Sequence, residues 1–136
     1  RYQHVLKHGQ LAFINDSKAT NLTALKFALN KTSNPYVLIL CGDPNKEQYG
    51  LYEIAGPTKV YIFGKHAQEI SKKIFHPEKI LFHNQDLSSL IKSIFKESYH
   101  RQTSILFSPG HPSGQDYKNF EERGDHFIKL VMNLYD

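Results

Sequence analysis

The sequence has little of what marks a secreted or membrane-bound protein. Cys41 is the only cysteine, so no disulfide can form within the chain and nothing indicates an oxidising compartment. No apolar run approaches the roughly 20 residues that cross a bilayer, and no signal-peptide pattern is present. We therefore expect a cytoplasmic protein that does not contact the membrane.

Features of nucleic-acid and metal binding are also missing. The 17 Lys and Arg exceed the 13 Asp and Glu to give a formal net charge of +4, which mildly favours anionic ligands. The basic residues are scattered, however, and do not form the block or stripe of a nucleic-acid-binding face. The 8 histidines are scattered as well. We predict no metal site and no nucleic-acid partner.

A phosphate loop of the form G-x-x-x-x-G-K-[ST] is absent, and the chain starts at Arg1 without an initiator methionine. If the chain is part of an ATP-using enzyme, the main triphosphate site must lie elsewhere. Its 136 residues suit one domain with a single core. We expect residues 1–136 to be a single domain of a longer protein.

The apolar pattern alternates between strand-like and helix-like segments. Residues 2–7 and 10–15 flank His8-Gly9 as in a hairpin. The chain is thus predicted to form an α/β, doubly wound (Rossmann-like), mostly parallel sheet of about six strands, with helices on both faces and an antiparallel N-terminal hairpin or edge strand. The remaining strands are predicted at 36–41, 59–63, 79–82 and 103–107, and the helices at 21–30, 47–55, 66–75, from Asp86 or Ser88 onward, and at 117–134.

Unusual polar chemistry follows some of these strands. In doubly wound sheets, ligands bind at the carboxyl ends of the strands, so we expect the loops 15–21, 42–46 and 108–120 to converge on one rim. The first loop combines a carboxylate, an amine and hydroxyls with the positive end of a helix, which suits an anion. The same residues are ordinary helix caps, and Thr20 or Asn21 is a candidate N-cap. Both interpretations stay open at this point.

Two isolated residues invite a catalytic interpretation. Cys41 ends an apolar strand, where a buried thiol is a commoner role than a nucleophile. His111 lies in a loop rich in glycine and proline and has no partner at ligand spacing, which favours a loop residue over a catalytic or metal-binding one.

Residue order decides between the alternatives for the first loop. The run from Asn15 to Asn21, N-D-S-K-A-T-N, resembles the motif that opens the carboxy-terminal domain of the bacterial Mur ligases, and it is most similar to the branch that adds D-glutamate. A second, independent match lies near the end of the chain, where Ser108-Pro109, Ser113, Phe120 and Arg123-Gly124 follow the order of the family's terminal pattern.

The resemblance implies a role for individual residues. Lys18 would be catalytic, close to the phosphates and the bound nucleotide-sugar. Asp16 would accept hydrogen bonds from the ribose of ATP, and Arg1 matches an arginine at the domain junction that reaches the nucleotide. The residues that would bind D-glutamate are Thr20, Lys46, Ser113, Gly114 and the backbone around Phe120.

The resemblance also implies a reaction. ATP would phosphorylate the terminal carboxylate of UDP-N-acetylmuramoyl-L-alanine, and the amine of D-glutamate would attack the acyl phosphate. Mg²⁺ would offset the phosphate charge, mostly held by a central domain outside this chain. We expect a monomer in contact with the central and N-terminal domains of the same enzyme, and we expect these 136 residues alone to be inactive.

The sequence departs from the family at one loop. Gly114 and Gln115 stand where the family has a larger apolar residue and an acid, the acid is displaced to Asp116, and His111-Pro112 replaces small residues. These changes concern the amino-acid pocket. The alternatives are a related Mur or folylpolyglutamate-type ligase for another amino acid and, from another class, a non-enzymatic doubly wound binding module.

Overall fold

The computed structural model describes residues 2–46, 50–75, 81–84 and 86–135. Its central feature is one sheet whose strands run in the order β1-β2-β6-β3-β4-β5. Strand β1 pairs antiparallel with β2, and all the other pairs are parallel. The strands are β1 (Gln3–His8), β2 (Leu11–Asn15), β3 (Tyr36–Leu40), β4 (Lys59–Phe63), β5 (Leu81–Asn84) and β6 (Thr103–Phe107).

Helices cover both faces of this sheet, as predicted. They are α1 (Leu22–Lys31), α2 (Ala67–Lys73), α3 (Leu87–Ser98) and α4 (Phe120–Asn133). Side chains alternate along a strand, so Leu38 packs in a core with α1 and α2 on one face, whereas Ile39 packs in a core with α3 and α4 on the other. Strand β3 is consequently buried at every position, which explains its continuous apolar run.

The predicted helix at 47–55 is wrong where the structure describes it. Residues 50–55 are not helical, and Tyr52 forms an isolated bridge with Ile74. Tyr52 and Ile54 are buried, while the residues on either side of each are exposed. That period of two belongs to extended chain, which puts alternate side chains on opposite sides. Residues 47–49 lie outside the described part, and Pro44–Lys46 form one 3₁₀ turn.

Other boundaries shift by a few residues. Helix α4 begins at Phe120 rather than 117, because the Asn119 side chain accepts a hydrogen bond from the Glu122 N–H at 2.8 Å and caps the helix there. Helix α3 begins after Asp86, the first of its two predicted caps. Strand β5 lies at Leu81–Asn84, and residues 79 and 80 of its predicted span lie outside the described residues.

Strand β6 is the last strand in the sequence, yet in the sheet it lies between β2 and β3, so the connection from β2 to β3 crosses it. Asn15 at the end of β2 is in register with Phe107 at the end of β6, and Phe107 is also in register with Ile39 of β3. The loops that leave these strands therefore emerge side by side. Within the ranges described above, no helix is long and apolar enough to cross a membrane.

Candidate functional site

The loops that follow β2, β3 and β6 are bonded to one another along the carboxyl edge of the sheet. The Asp16 N–H donates to the Phe107 carbonyl at 2.7 Å, and the Gly110 N–H donates to the Ala19 carbonyl at 2.9 Å. On the other side, the Asp43 N–H donates to the Pro112 carbonyl at 2.9 Å. The three segments expected to converge thus form one rim.

Arg123 of helix α4 joins two of these loops from beneath. It is fully buried, and its Nε and Nη2 donate to the Ser17 Oγ and carbonyl at 2.9 and 2.8 Å, while Nη1 donates to the His111 carbonyl at 3.0 Å. Gly124 lets helix α4 approach the start of the first loop closely, since a Cβ on Gly124 would lie 3.0 Å from Asn15 Nδ2. The rim is therefore held by a charged group in the core.

Sequence reasoning placed Arg123 in a motif but gave it no role. The signal that it missed is periodicity: Arg123, Phe127 and Val131 are spaced by one helical turn, and all of them are buried. A charged residue on the apolar stripe of a helix is seldom fully buried unless it is paired. That combination identifies an internal hydrogen-bond donor.

Asp16 and Lys18 line one wall of a cavity of about 710 Å³. Asp16 is buried and accepts a hydrogen bond from Ser108 Oγ at 2.8 Å. Burial raises the pKa of its carboxyl group, and the bond from Ser108 opposes that rise. Lys18 is exposed. The cavity also contains the aromatic side chains of Tyr2 and Phe27, the latter 71% exposed.

Thr20 and Asn21 have separate roles at the start of α1. Asn21 is the N-cap, and its Oδ1 accepts from the Ala24 N–H at 2.8 Å. The cap interpretation is therefore confirmed for Asn21. The Thr20 side chain is half-buried and has no hydrogen-bond partner within the described ranges. Its hydroxyl can bind a ligand without disturbing the helix cap.

The predicted amino-acid contacts in the last loop lie beside the second loop. Ser113 is half-buried, and among the described residues its hydroxyl has no hydrogen-bond partner. Gly114 has φ +61°, and a Cβ on it would lie 2.9 Å from Asp43 Cβ. The larger residue expected from the resemblance therefore cannot fit here without a shift of the Asp43 loop.

The remaining predicted contacts are described only in part. The Phe120 carbonyl accepts a hydrogen bond from Ser17 Oγ at 2.8 Å and so has a structural role. The Phe120 N–H is at the first position of α4 and has no acceptor within the helix. Lys46 ends the 3₁₀ turn beside Asp43, and its side chain lies outside the description. Arg1 also lies outside the described residues.

His111 and Cys41 are internal groups. His111 is 1% exposed, with its Nε2 3.4 Å from the Tyr52 hydroxyl. Burial, helped by the positive charge of Arg123, lowers the pKa of His111 to about 4, so its ring is neutral at pH 7. Cys41 is buried, and burial raises the pKa of its thiol to about 12. These environments favour the structural interpretations of both residues.

No model of a protein family matches the chain. Among curated proteins it is similar to UDP-N-acetylmuramoylalanine–D-glutamate ligases. It is 31% identical to that of Trichormus variabilis over 142 residues, which cover 98% of this chain and 30% of that ligase. It is 33% identical to that of Buchnera aphidicola subsp. Acyrthosiphon pisum over 139 residues, covering 98% of this chain and 31% of that ligase.

A third relative, from Prochlorococcus marinus strain SARG, is 34% identical over 142 residues, with 96% of this chain and 29% of that ligase covered. The chain thus spans about a third of the length of the curated relatives that it matches. The resemblance to a domain of the Mur ligases is thereby confirmed: along nearly its whole length, this chain is a homologue of part of the UDP-N-acetylmuramoylalanine–D-glutamate ligases.

Proposed function

We propose that the chain is the carboxy-terminal domain of a cytoplasmic, monomeric ligase that adds D-glutamate to UDP-N-acetylmuramoyl-L-alanine in peptidoglycan synthesis. The observation that supports this most strongly is the bonding of the loops 15–21 and 108–120 into one rim through Arg123. That bonding brings together the two segments whose residue order matches the ligases. The domain would deliver the amino acid and cover the nucleotide.

The cavity beside Asp16 and Lys18 suits a nucleotide. Its volume of about 710 Å³ lies within the roughly 300–1,000 Å³ of small-molecule sites. The Asp16 carboxylate would accept from the ribose hydroxyls, and the exposed Lys18 amine would lie beside the phosphates, where a cation offsets negative charge. ATP supplies the phosphoryl group and its Mg²⁺ offsets phosphate charge; we assign most of that binding to the central domain.

The amino acid would bind on the other side of the rim. D-Glutamate has two carboxylates, so it needs a point charge and several oriented donors. Lys46 would supply the charge, and the hydroxyls of Thr20 and Ser113, which have no partners in the described part of the chain, would donate hydrogen bonds. The N–H groups at Gly114 and at the start of α4, by Phe120, would complete the pocket.

The chemistry proceeds in two steps. The terminal carboxylate of UDP-N-acetylmuramoyl-L-alanine attacks the terminal phosphorus of ATP, and ADP leaves. The D-glutamate nitrogen then attacks the carbonyl carbon of the acyl phosphate, the C–O bond to phosphate breaks, and the nitrogen loses a proton as the amide forms. In this chain Lys18 stabilises the phosphoryl group, while the other residues hold the amine within reach of the carbonyl. Such positioning can lower a two-substrate barrier by several kcal/mol.

The departures at Gly114, Gln115 and Asp116 favour one alternative, which is a related ligase for another amino acid. A panel of amino acids tested with the full-length ligase distinguishes the two, with phosphate release as the measurement. We expect D-glutamate to be the preferred substrate over L-glutamate, D-aspartate, L-lysine and diaminopimelate. A higher kcat/KM for any of the others would contradict the assignment.

Substitutions test the roles of individual residues in the same assay. Lys18→Ala should lower kcat by about 100-fold or more, as expected for loss of a charge that acts on the transition state. Ser113→Ala should raise KM for D-glutamate by roughly tenfold, the effect of about one lost hydrogen bond to a charged group, with KM for ATP unchanged. Lys26→Ala removes an exposed lysine of helix α1, away from the loop that contains Lys18, and is the control. Wild-type kcat in Lys18→Ala would exclude the catalytic role.

A further inference from the structure

His66 precedes helix α2 and contacts the last loop of the rim, 49 residues further along the chain. It is 9% exposed. Its Nδ1 lies 2.9 Å from Glu69 Oε1, within the same helical segment, and its Nε2 lies 2.8 Å from Gln115 Oε1, in the loop after β6. Asp43 of the second loop is 3.9 Å from Nε2. One ring therefore links segments that follow β3, β4 and β6.

The turn at 112–116 contains Ser113 and Gly114 and is anchored at several points. The Asp43 N–H donates to the Pro112 carbonyl, and the Lys65 N–H donates to Asp116 Oδ1 at 2.9 Å. Gly114 packs against Asp43. Gln115 is exposed to solvent, so packing does not fix it. Its bond to His66 adds a side-chain tie between the turn and the N-terminus of α2, beside the bond from Lys65 to Asp116.

We propose that His66 is a positioning residue whose ring holds Gln115 against helix α2 and thereby fixes the turn that presents Ser113 to the amino-acid substrate. The identity of that substrate rests on the proposed function, whereas the restraint of the turn does not. An amide accepts the hydrogen bond without placing another negative charge beside the carboxylates of the substrate.

The restraint depends on the charge of the ring. The Glu69 carboxylate only accepts, so Nδ1 must hold a proton, and a bond from Nε2 to the Gln115 oxygen requires a second proton on the ring. The hydrogen bond to Glu69 raises the pKa of His66, and Gln115 and the nearby Asp43 add to the rise against partial burial. Glu69 is itself held by Asn45 Nδ2 at 2.8 Å and by the charge of Lys73.

Loss of the ring proton has a defined consequence. The Gln115 amide must then turn over to donate to Nε2, and the bond changes from charge-assisted to neutral, which is about half as strong. The attraction of Asp43 for the ring disappears at the same time. The turn at 112–116 should therefore become less ordered as the pH rises through the pKa of His66.

Nuclear magnetic resonance of the ¹⁵N-labelled chain tests the restraint without any substrate. Between pH 5.5 and 9, the amide signals of Ser113, Gly114 and Gln115 should shift with the same midpoint as the His66 ring. His66→Asn should abolish this titration. His100→Asn, which changes an exposed histidine in the turn after α3, should leave it unchanged. Amides of the turn that do not follow His66 would overturn the proposal.

Gln115→Ala is the second variant, because it changes an exposed side chain and leaves the core intact. In the full-length ligase, His66→Asn and Gln115→Ala should each raise KM for D-glutamate by roughly three- to tenfold, as for one hydrogen bond to a charged group. The double variant should be no worse than either alone. The kcat and KM for ATP should change by less than about twofold, since the nucleotide wall is untouched.

The two measurements separate the proposals. A coupled titration with a raised KM supports the positioning role. A coupled titration with an unchanged KM for D-glutamate overturns the role in substrate binding. If the ligase does not use D-glutamate at all, the function proposed above fails, and the same KM comparison with the amino acid that is used decides whether His66 positions the turn for it.

Discussion

At the residue scale, Arg123 joins two loops of the rim from a fully buried position. Its guanidinium donates to both the hydroxyl and the carbonyl of Ser17 and to the carbonyl of His111. Burying a charge is costly unless it is hydrogen-bonded, and here each of the three guanidinium nitrogens donates to one of the two loops. Arginine suits this position because its fork fixes several acceptors at once.

We expect Arg123→Ala to lower the free energy of unfolding by about 3–5 kcal/mol, because it leaves a cavity and several buried acceptors without donors. Arg123→Lys should recover part of that loss, since one ammonium cannot reach acceptors in both loops. Urea unfolding at pH 7 measures both. Lys129→Ala, at an exposed position of the same helix, is the control and should change stability by less than about 0.5 kcal/mol.

His111 should make stability depend on pH. Its pKa is about 4 in the folded chain and about 6.5 in the unfolded chain, so the unfolded state takes up the proton first. The contribution of the neutral His111 ring to the free energy of unfolding is complete above pH 6.5. It is lost as the pH falls towards 4, by about 3 kcal/mol in all. His66 has the opposite sign, because its pKa is raised.

The comparison of wild type with His111→Gln isolates that contribution, since every other group titrates in both proteins. Between pH 7 and 4 the wild type should lose about 3 kcal/mol more than the variant, measured by urea unfolding at each pH. Equal losses in the two proteins would show that His111 takes up its proton in the folded state as readily as in the unfolded one.

At the scale of elements, the junction between β2 and α1 combines a structural cap with a candidate binding site. Asn21 satisfies the N–H of Ala24, while Thr20, one residue earlier, faces no partner in the described ranges. The polar residues of the motif are therefore not interchangeable. One serves the helix, and its neighbour remains available to a ligand.

Paired substitutions at this junction should separate stability from function. Asn21→Ala should lower the free energy of unfolding by about 1 kcal/mol through loss of the cap, and Asn21→Ser should restore most of it. Thr20→Ala should leave stability within about 0.5 kcal/mol but raise KM for D-glutamate in the full-length ligase. Chemical denaturation and steady-state kinetics measure the two effects. A large loss of stability in Thr20→Ala would assign the cap role to Thr20 as well.

At the scale of the whole molecule, the parallel strands of the sheet place the polar loops together at their carboxyl ends. Strand β1 of the hairpin lies on one side of β2, away from these parallel strands. Strand β6 enters between β2 and β3, which brings the last loop of the chain beside the first. On the function proposed above, one wall of the resulting rim would bind the nucleotide and the other the amino acid. We propose that the rest of the enzyme supplies the phosphate loop and the sugar-nucleotide site.

The chain by itself should therefore have no ligase activity. With ATP, Mg²⁺, D-glutamate and UDP-N-acetylmuramoyl-L-alanine, the 136-residue protein should release phosphate no faster than a reaction without protein, because positioning groups alone do not supply the triphosphate site. A coupled phosphate assay measures this, and the full-length ligase is the positive control. Phosphate release by the chain alone would contradict the proposed division of roles.

The sequence by itself determined the α/β class, the parallel core strands and the resemblance to the D-glutamate ligases, because apolar period and residue order can be read from the chain alone. The predicted helix was wrong at 50–55, because the surrounding fold buries Tyr52 and Ile54 alternately with exposed neighbours, as in extended chain. Only the tertiary structure decided that β6 enters between β2 and β3, that Arg123 joins the loops from the core, and that His66 reaches Gln115. These contacts join residues distant in the chain, and no local pattern encodes which of them will meet.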